Sequence, residues 1–255
     1  MRKYKALKFI DVPSPNHDER ALPVTILLLH YTGMETGPAA LERMCDPEAK
    51  VAAHYMVEED GHIFKLVDEN RRAWHAGLSS WHGKTDINSA SIGIEIVNGG
   101  HDFGLPEFPN VQIAAVIALC KDIMRRNNIT DFGVVAHSDI APMRKQDPGE
   151  KFPWARLADA GVGIWPDVKT KDQRLLFGDN TKNPQVGVIQ TALSYLGYGV
   201  SKTNTIDEAT QIVLQAFQRR YRPGKIDGFV DVQTMEILSL LVRYKKKCAK
   251  KAKTR

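Results

Sequence analysis

The sequence predicts an α/β domain built on one central sheet, followed by a small three-helix bundle. Three observations predict it. Apolar runs of strand length alternate with helical patterns from Val24 to about Leu157, the arrangement that layers helices on a sheet. Glycine and proline then interrupt any period between residues 161 and 183. Beyond Pro184 the apolar spacing becomes helical.

Val24 to Leu29 is a continuous apolar run, the mark of a buried strand, and it stops at His30. His54 to Val57 and His62 to Val67 flank Glu59, Asp60 and Gly61, a hairpin signal centred on Asp-Gly. From Ser91 to Val97 the pattern alternates: Ile92, Ile94 and Ile96 share one face, and Glu95 lies on the other beside Gly93. Val111 to Met124 is dense enough in apolar residues for a buried helix, and Gly133 to Ala136 is a short strand ending at His137. In the C-terminal third, Val186, Ile189, Leu193 and Leu196 keep helical spacing. Thr205 and Glu208 frame a capping box that opens a helix through Ala209, Val213 and Phe217, with Pro223 ending it. Asp231 caps a third helix through Met235, Leu238 and Leu241. The expected divisions are residues 1–160 for the α/β domain, 161–183 for a linker, 184–244 for the bundle and 245–255 for a basic tail. A bundle of roughly sixty residues is near the lower size at which domains fold alone. Its removal is expected to spare the chemistry of the first domain.

At 255 residues, 43% hydrophobic and 25% charged, the chain is an ordinary globular one with a sizeable core. Its net charge of +5 comes from one end: Arg243 to Arg255 holds eight Lys or Arg and no acid, leaving 27 basic against 30 acidic residues elsewhere. That balance excludes a basic nucleic-acid surface across the body. The tail reads as a solvated, frayed end after a helix. The competing reading is an adaptor that grips a polyanion, which salt-sensitive binding lost with the tail would favour. Cys45, Cys120 and Cys248 show neither a disulfide framework nor a paired metal motif. No apolar stretch reaches membrane-spanning length, and Asp11 and Pro13 cut short the apolar region a secretory signal would need. A cytoplasmic protein is expected, with periplasm or outer membrane as the alternative for a chain whose signal has been trimmed. Nothing in the sequence calls for a protein partner.

The chemistry concentrates in three residues. His30 and His137 each end an apolar strand, where side chains emerge at a sheet's edge, and Asp147 lies just beyond in the turn-forming stretch Arg144 to Gly149. Two imidazoles and one carboxylate leave a fourth tetrahedral position for water, the layout of a catalytic rather than a structural zinc. Such a zinc lets water ionise near neutral pH and attack an amide carbonyl. One Zn²⁺ per chain and a metal-dependent amide hydrolase are therefore expected. Taken singly, a histidine is more often structural or superficial than a ligand. His62 reads as a structural member of its hairpin, and His17 and His101 lie in polar loops with no role assigned. Glu95 has two readings: a solvent-facing carboxylate on a half-exposed sheet, or a base above the metal that carries a proton from water to the leaving amine. The second needs a raised pKa, which partial burial would supply. Lys145, two residues before Asp147, projects to the same side if the segment is extended. There its ammonium would stabilise an oxyanion; otherwise it is a surface lysine. Trp74 and His75, and Trp81 and His82, form two Trp-His pairs in a loop-rich stretch. Trp74 suits core packing and substrate stacking equally, whereas Trp81, set among Ser, His and Gly, is expected to be exposed. The chain has no nucleophile elbow, P-loop or dinucleotide-binding glycine pattern.

Five motifs in register resemble the zinc-dependent N-acetylmuramoyl-L-alanine amidases of the type-2 family, relatives of the peptidoglycan recognition proteins and of phage lysozyme-like amidases. They are His30 to Gly33, Ala53 to Tyr55, Ala73 to Gly77, Ser91 to Glu95, and Ala136 to Pro142 with Arg144 to Gly149. The resemblance implies a mixed β-sheet flanked by helices, with zinc held by His30, His137 and Asp147. It implies that Glu95 is the acid/base residue and that Lys145 polarises the scissile carbonyl or steadies its oxyanion. His54, Trp74, His75 and Asn88 would line the substrate groove. The reaction implied is cleavage of the amide between the lactyl group of N-acetylmuramic acid and L-alanine in peptidoglycan or muropeptides. 1,6-anhydro-muropeptides are further candidate substrates, and wall degradation or recycling the implied purpose. Residues 152–154 and 161–167 are similar to the domain junction of two-domain members. The C-terminal segment resembles a three-helix peptidoglycan-binding domain through Val188 to Gln190, Leu196 to Tyr198, Ala216 to Gln218 and Gly228 to Thr234. It departs at Lys202 to Ile206, which lacks the glycine usual before the second helix. A non-catalytic muropeptide receptor on the same fold is the alternative. Asp147 and Glu95, for which a receptor has no chemical need, weigh against it.

Overall fold

Two short strands, β1 (Ile10–Asp11) and β2 (His17–Glu19), precede the apolar run that forms β3 (Ile26–Tyr31) in a computed structural model describing residues 7–253. The basic start before Leu7, and Thr254 and Arg255 of the tail, lie outside the described residues. Thr36 caps α1 (Gly37–Cys45) by accepting from the Ala39 N–H at 3.3 Å. The Asp-Gly hairpin forms as expected, β4 (Tyr55–Val57) against β5 (Ile63–Lys65), and β6 (Arg71–Ala73) pairs back to β2. A single turn, α2 (Ile87–Ala90), leads into β7 (Ser91–Ile96). Then α3 (Asn110–Asn127) crosses to β8 (Val134–Ala136), followed by α4 (His137–Ile140) and α5 (Trp154–Asp159). The strand order is β1-β5-β4-β7-β3-β8, with β4 and β5 antiparallel and the other pairs parallel, a mixed sheet flanked by helices.

The stretch read as a linker contains β9 (Leu175–Phe177), which pairs with β10 (Val230–Asp231). At three residues, Leu175–Phe177, it is too short and too uniformly apolar to show the alternation that marks a half-buried strand. The C-terminal helices are α6 (Pro184–Leu196), α7 (Glu208–Tyr221) and α8 (Val232–Lys253). Asn183, Asp207 and Asp231 cap them by accepting from the N–H groups of Gln185, Thr210 and Thr234. The second cap is therefore Asp207 rather than the expected Thr205 box, because Thr205 is held in a β-bridge with Lys182. The last helix, α8, continues through the residues read as a frayed tail, as far as Lys253. Lys245 there is half-buried, with Nζ donating to the carbonyls of Tyr195 (3.0 Å) and Leu196 (3.1 Å) and lying 2.8 Å from His82 Nε2. Among the described residues no helix is long and apolar enough to cross a membrane.

The two faces of the sheet have different partners. Leu27, Leu29, Ile92, Ile94 and Ile96 lie under Ile113, Val116, Leu119 and Ile123 of α3. On the opposite face Ile26, Leu28 and Val135 join Ile87, Trp81 and Ile140, and then Leu193, Leu214 and Phe217 of the C-terminal helices, in one continuous core. Trp81 is thus 5% exposed, not the exposed residue its polar neighbours suggest. Tyr198 meets it edge-on at 5.0 Å between ring centroids, and Gly197, at φ +135°, comes so close that a Cβ would run into the indole. Trp81→Ala is expected to open a cavity here and to cost about 3–5 kcal/mol, read as a lower denaturant midpoint. A shift below about 1 kcal/mol would mean the helices are not seated on this face. Removing them, expected to be harmless, would strip Leu28, Trp81 and Ile140 of their cover.

Candidate metal centre

The carboxyl ends of three neighbouring parallel strands meet at one edge of the sheet, where open α/β sheets place their ligands. His30 lies near the end of β3 in register with Glu95 of β7, so both side chains leave the same face. His137 begins α4 directly after β8. Asp147 arrives from the following loop, its backbone carbonyl accepting from the Ser138 N–H at 3.0 Å. All three are buried, and His30 Nδ1, His137 Nδ1 and Asp147 Oδ2 form a triangle with sides of 2.9, 3.0 and 3.1 Å. Four-coordinate zinc, with bonds of about 2.0–2.1 Å, sets its donors about 3.3 Å apart. The triangle would open only slightly to take it, and two imidazoles with one carboxylate are a donor set zinc favours.

Hydrogen bonds to the outer ring nitrogens determine which ring atoms are bare. His137 Nε2 lies 3.1 Å from the Ala76 carbonyl, which can only accept, so the proton is on Nε2 and the Nδ1 lone pair faces the triangle. Ser91 Oγ donates to the Ile87 carbonyl at 2.5 Å and accepts from His75 Nε2 at 3.4 Å. His75 Nδ1 is then the acceptor for His30 Nε2–H at 3.0 Å, which leaves His30 Nδ1 bare. Burial, with the His137 ring next, lowers the His30 pKa to about 4 and keeps the ring neutral. Gly93 makes room for this relay, since a Cβ there would sit 2.5 Å from His75 Nδ1.

The two carboxylates are pushed in opposite directions. Burial would raise the pKa of Asp147, but positive charge at the neighbouring His137 and His30 nitrogens outweighs it and holds it well below the usual carboxylate range, a charge that a metal ion would supply where those nitrogens are bare. Glu95 moves well above that range, through burial first and the Asp147 charge second, against the Lys145 ammonium. Its Oε1 lies 3.9 Å from His30 Nδ1, and its Oε2 is buried with no hydrogen-bond partner among the described residues. Glu95 is therefore not a solvent-facing carboxylate.

Beside the triangle is a cavity of about 470 Å³ whose wall includes Trp74, His75, Asn88, His137, Arg144 and Lys145. Three of the four expected groove residues are there. His54 is not: its fully buried ring lies behind His75, with Nδ1 accepting from the Gly93 N–H at 3.0 Å and Nε2 3.1 Å from the Arg71 carbonyl. It joins strands instead of meeting the cavity. Asn88 also holds the loop beside it, its Oδ1 accepting from the N–H groups of His75 (2.9 Å) and Ala76 (2.6 Å). Lys145 sits in a turn, donating its N–H to Ala141, and not in the extended segment expected, yet it reaches the cavity wall. Arg144 carries no sequence signal of its own. It donates to the carbonyls of Ala76 (2.6 Å) and Leu78 (2.9 Å), clamping the group that orients His137. His62 is exposed and 2.7 Å from Asp60, outside any core. A larger cavity of about 950 Å³, between residues 161–168 and α7–α8, includes none of the triangle.

The family model described as N-acetylmuramoyl-L-alanine amidase matches residues 20–150, and one for a peptidoglycan binding domain matches residues 182–238. The chain is 37% identical over 235 residues to the N-acetylmuramoyl-L-alanine amidase AmiD of Escherichia coli K12, a match covering 86% of this chain and 82% of that protein. Its structure is similar to E. coli AmiD in complex with the substrate anhydro-N-acetylmuramic acid-L-Ala-D-gamma-Glu-L-Lys, with a TM-score of 0.76 and 34% identity over 88% of this chain and 91% of that one. It is also similar to AmpDh3 of Pseudomonas aeruginosa in complex with anhydromuramic pentapeptide, with a TM-score of 0.71 and 32% identity over 94% of this chain and 96% of that one.

Proposed function

Since the chain belongs to the N-acetylmuramoyl-L-alanine amidase family, we propose that His30, His137 and Asp147 hold one zinc ion for cleavage of the amide between N-acetylmuramic acid and L-alanine. Muropeptides bearing the 1,6-anhydro sugar are among the substrates proposed. The observation that carries the metal reading is the buried triangle of two bare nitrogens and one carboxylate oxygen, beside the unpartnered Glu95 oxygen. The anhydro sugar is supported by the two similar structures, which hold anhydromuramic peptides.

When bound, the zinc supplies Lewis acidity toward the scissile carbonyl and acidifies water at neutral pH. Glu95 takes the proton from the attacking water and returns it to the leaving alanine nitrogen, and its raised pKa suits it to both transfers. The Lys145 ammonium on the cavity wall stabilises the negative charge that develops on the carbonyl oxygen. Trp74, half-exposed on the same wall, offers an aromatic face to the sugar or stem peptide. The helices matched by the peptidoglycan-binding model add contact with the wall polymer. Chelation is expected to stop turnover of an anhydro-muropeptide and stoichiometric Zn²⁺ to restore it, followed by mass spectrometry of the freed stem peptide. Full turnover by a demetallated sample would overturn the metal assignment.

A further inference from the structure

We infer that Arg219 and Arg220 of α7 brace the two segments that carry His137 and Asp147, making the C-terminal helices a positioning part of the metal centre. The inference rests on the metal reading above. It begins at Asp139, fully buried two residues after His137. Its Oδ2 accepts from the Ala136 N–H at 2.9 Å, closing the corner where β8 turns into α4 and His137 emerges. The other bonds to this carboxylate come from the C-terminal helical region: Tyr198 Oη donates to Oδ1 at 2.6 Å, and Arg220 Nη1 donates to Oδ2. Arg220 Nη2 donates to the Val134 carbonyl at 2.7 Å, so one guanidinium ties the start of β8 to the turn after it. That guanidinium is itself fixed, 4.3 Å from the Trp154 ring centroid and 4.9 Å from that of Tyr221.

Arg219 points elsewhere, because successive residues on a helix are rotated by about 100°. Its Nη2 donates to Gln146 Oε1 at 3.3 Å, and its Nε lies 3.6 Å from Glu150 Oε2. These two residues flank Asp147. Glu150 Oε2 is also 3.0 Å from His101 Nε2, whose Nδ1 is 3.0 Å from the hydroxyl of Tyr31, the neighbour of His30. Adjacent side chains of one helix thus reach residues beside two of the donors directly, and beside the third through His101. Cohesion alone does not call for this, since a buried ion pair is no better for stability than apolar packing of the same volume. What it supplies is fixed geometry for the segments from which His137 and Asp147 project, support one step behind the ligands' own hydrogen-bond partners.

The test is Zn²⁺ affinity, measured by competition with a chromogenic chelator, for the unaltered chain, Arg220→Met, Tyr198→Phe and Arg219→Gln. Thermal midpoints of each, with and without zinc, accompany it. Arg220→Met is expected to lose about 10-fold in affinity, the low end of the effect of a ligand's direct partner, and the other two a few-fold, with kcat falling while KM holds. The gain in midpoint on adding zinc shrinks with the affinity. A purely structural role would lower the zinc-free midpoint and leave affinity unchanged. If Arg220→Met does not fold, Tyr198→Phe and Arg219→Gln decide, since the first removes one hydroxyl and its hydrogen bond and the second the less buried of the two guanidinium groups. Affinities within about twofold of the unaltered chain in the folded variants would overturn the brace, being far short of an outer-partner effect. Failure of the unaltered chain to bind zinc would overturn the metal reading, and the brace with it.

Discussion

Replacing Asp147 with alanine is expected to abolish metal binding and activity together. Asp147 supplies the one anionic donor of the triangle, and the two imidazoles left behind offer zinc two donors with no compensating negative charge. Affinity should fall by well over about 100-fold, beyond the loss typical of outer-partner changes. The chain should still fold, because the carboxylate meets the two histidine rings, and the bond from Ser138 goes to the backbone carbonyl, which alanine keeps. Zinc content after dialysis, measured beside amidase activity, checks both halves of the expectation. Near-stoichiometric zinc in Asp147→Ala would place the metal elsewhere.

Glu95→Ala is expected to separate binding from chemistry. Glu95 lies outside the triangle, 3.9 Å from His30 Nδ1, so its removal leaves all three donors in place. Zinc should remain at one per chain. Loss of a positioned proton carrier should lower kcat by about 10²–10⁴-fold, with KM little changed, the pattern of an interaction made in the transition state. Glu95→Gln preserves shape and hydrogen-bonding capacity but cannot exchange the proton, and should be equally slow. Recovery of the rate in the glutamine variant would assign Glu95 a packing role, and near-normal turnover in either would end its assignment as the acid/base residue.

Much of the site stands at positions the sequence marks locally. The apolar runs of β3 and β8 and the alternation of β7 are visible without any partner, and His30, His137 and Glu95 sit at or near their ends. That these side chains converge with Asp147 is not visible in the same way. His30 and Asp147 meet because β3 pairs with β8 in parallel and the loop after α4 folds back onto it, an outcome that the donor types suggested and the family resemblance implied, but that no spacing in the chain fixes. Residues whose exposure depends on distant partners were misread for the same reason. Trp81 looks exposed among Ser, His and Gly until Tyr198 and Gly197 arrive from the C-terminal helices. His54 matches a family motif, yet pairing of its strand with β7 places it behind His75. Arg144, Arg219 and Arg220 belong to runs with the appearance of ordinary surface charge, and their partners are carbonyls and carboxylates that no spacing identifies.

By itself, then, the sequence determined where the strands carrying His30, Glu95 and His137 run and which donor atoms stand at or near their ends, because periodicity, turn chemistry and side-chain identity are local properties of the chain. Tertiary structure alone decided that the donors face one another with their lone pairs bare, and that the C-terminal helices share a core with the sheet and grip the segments holding the ligands. Burial and hydrogen-bond partnership arise between surfaces that distant segments bring together, so no local pattern can carry them.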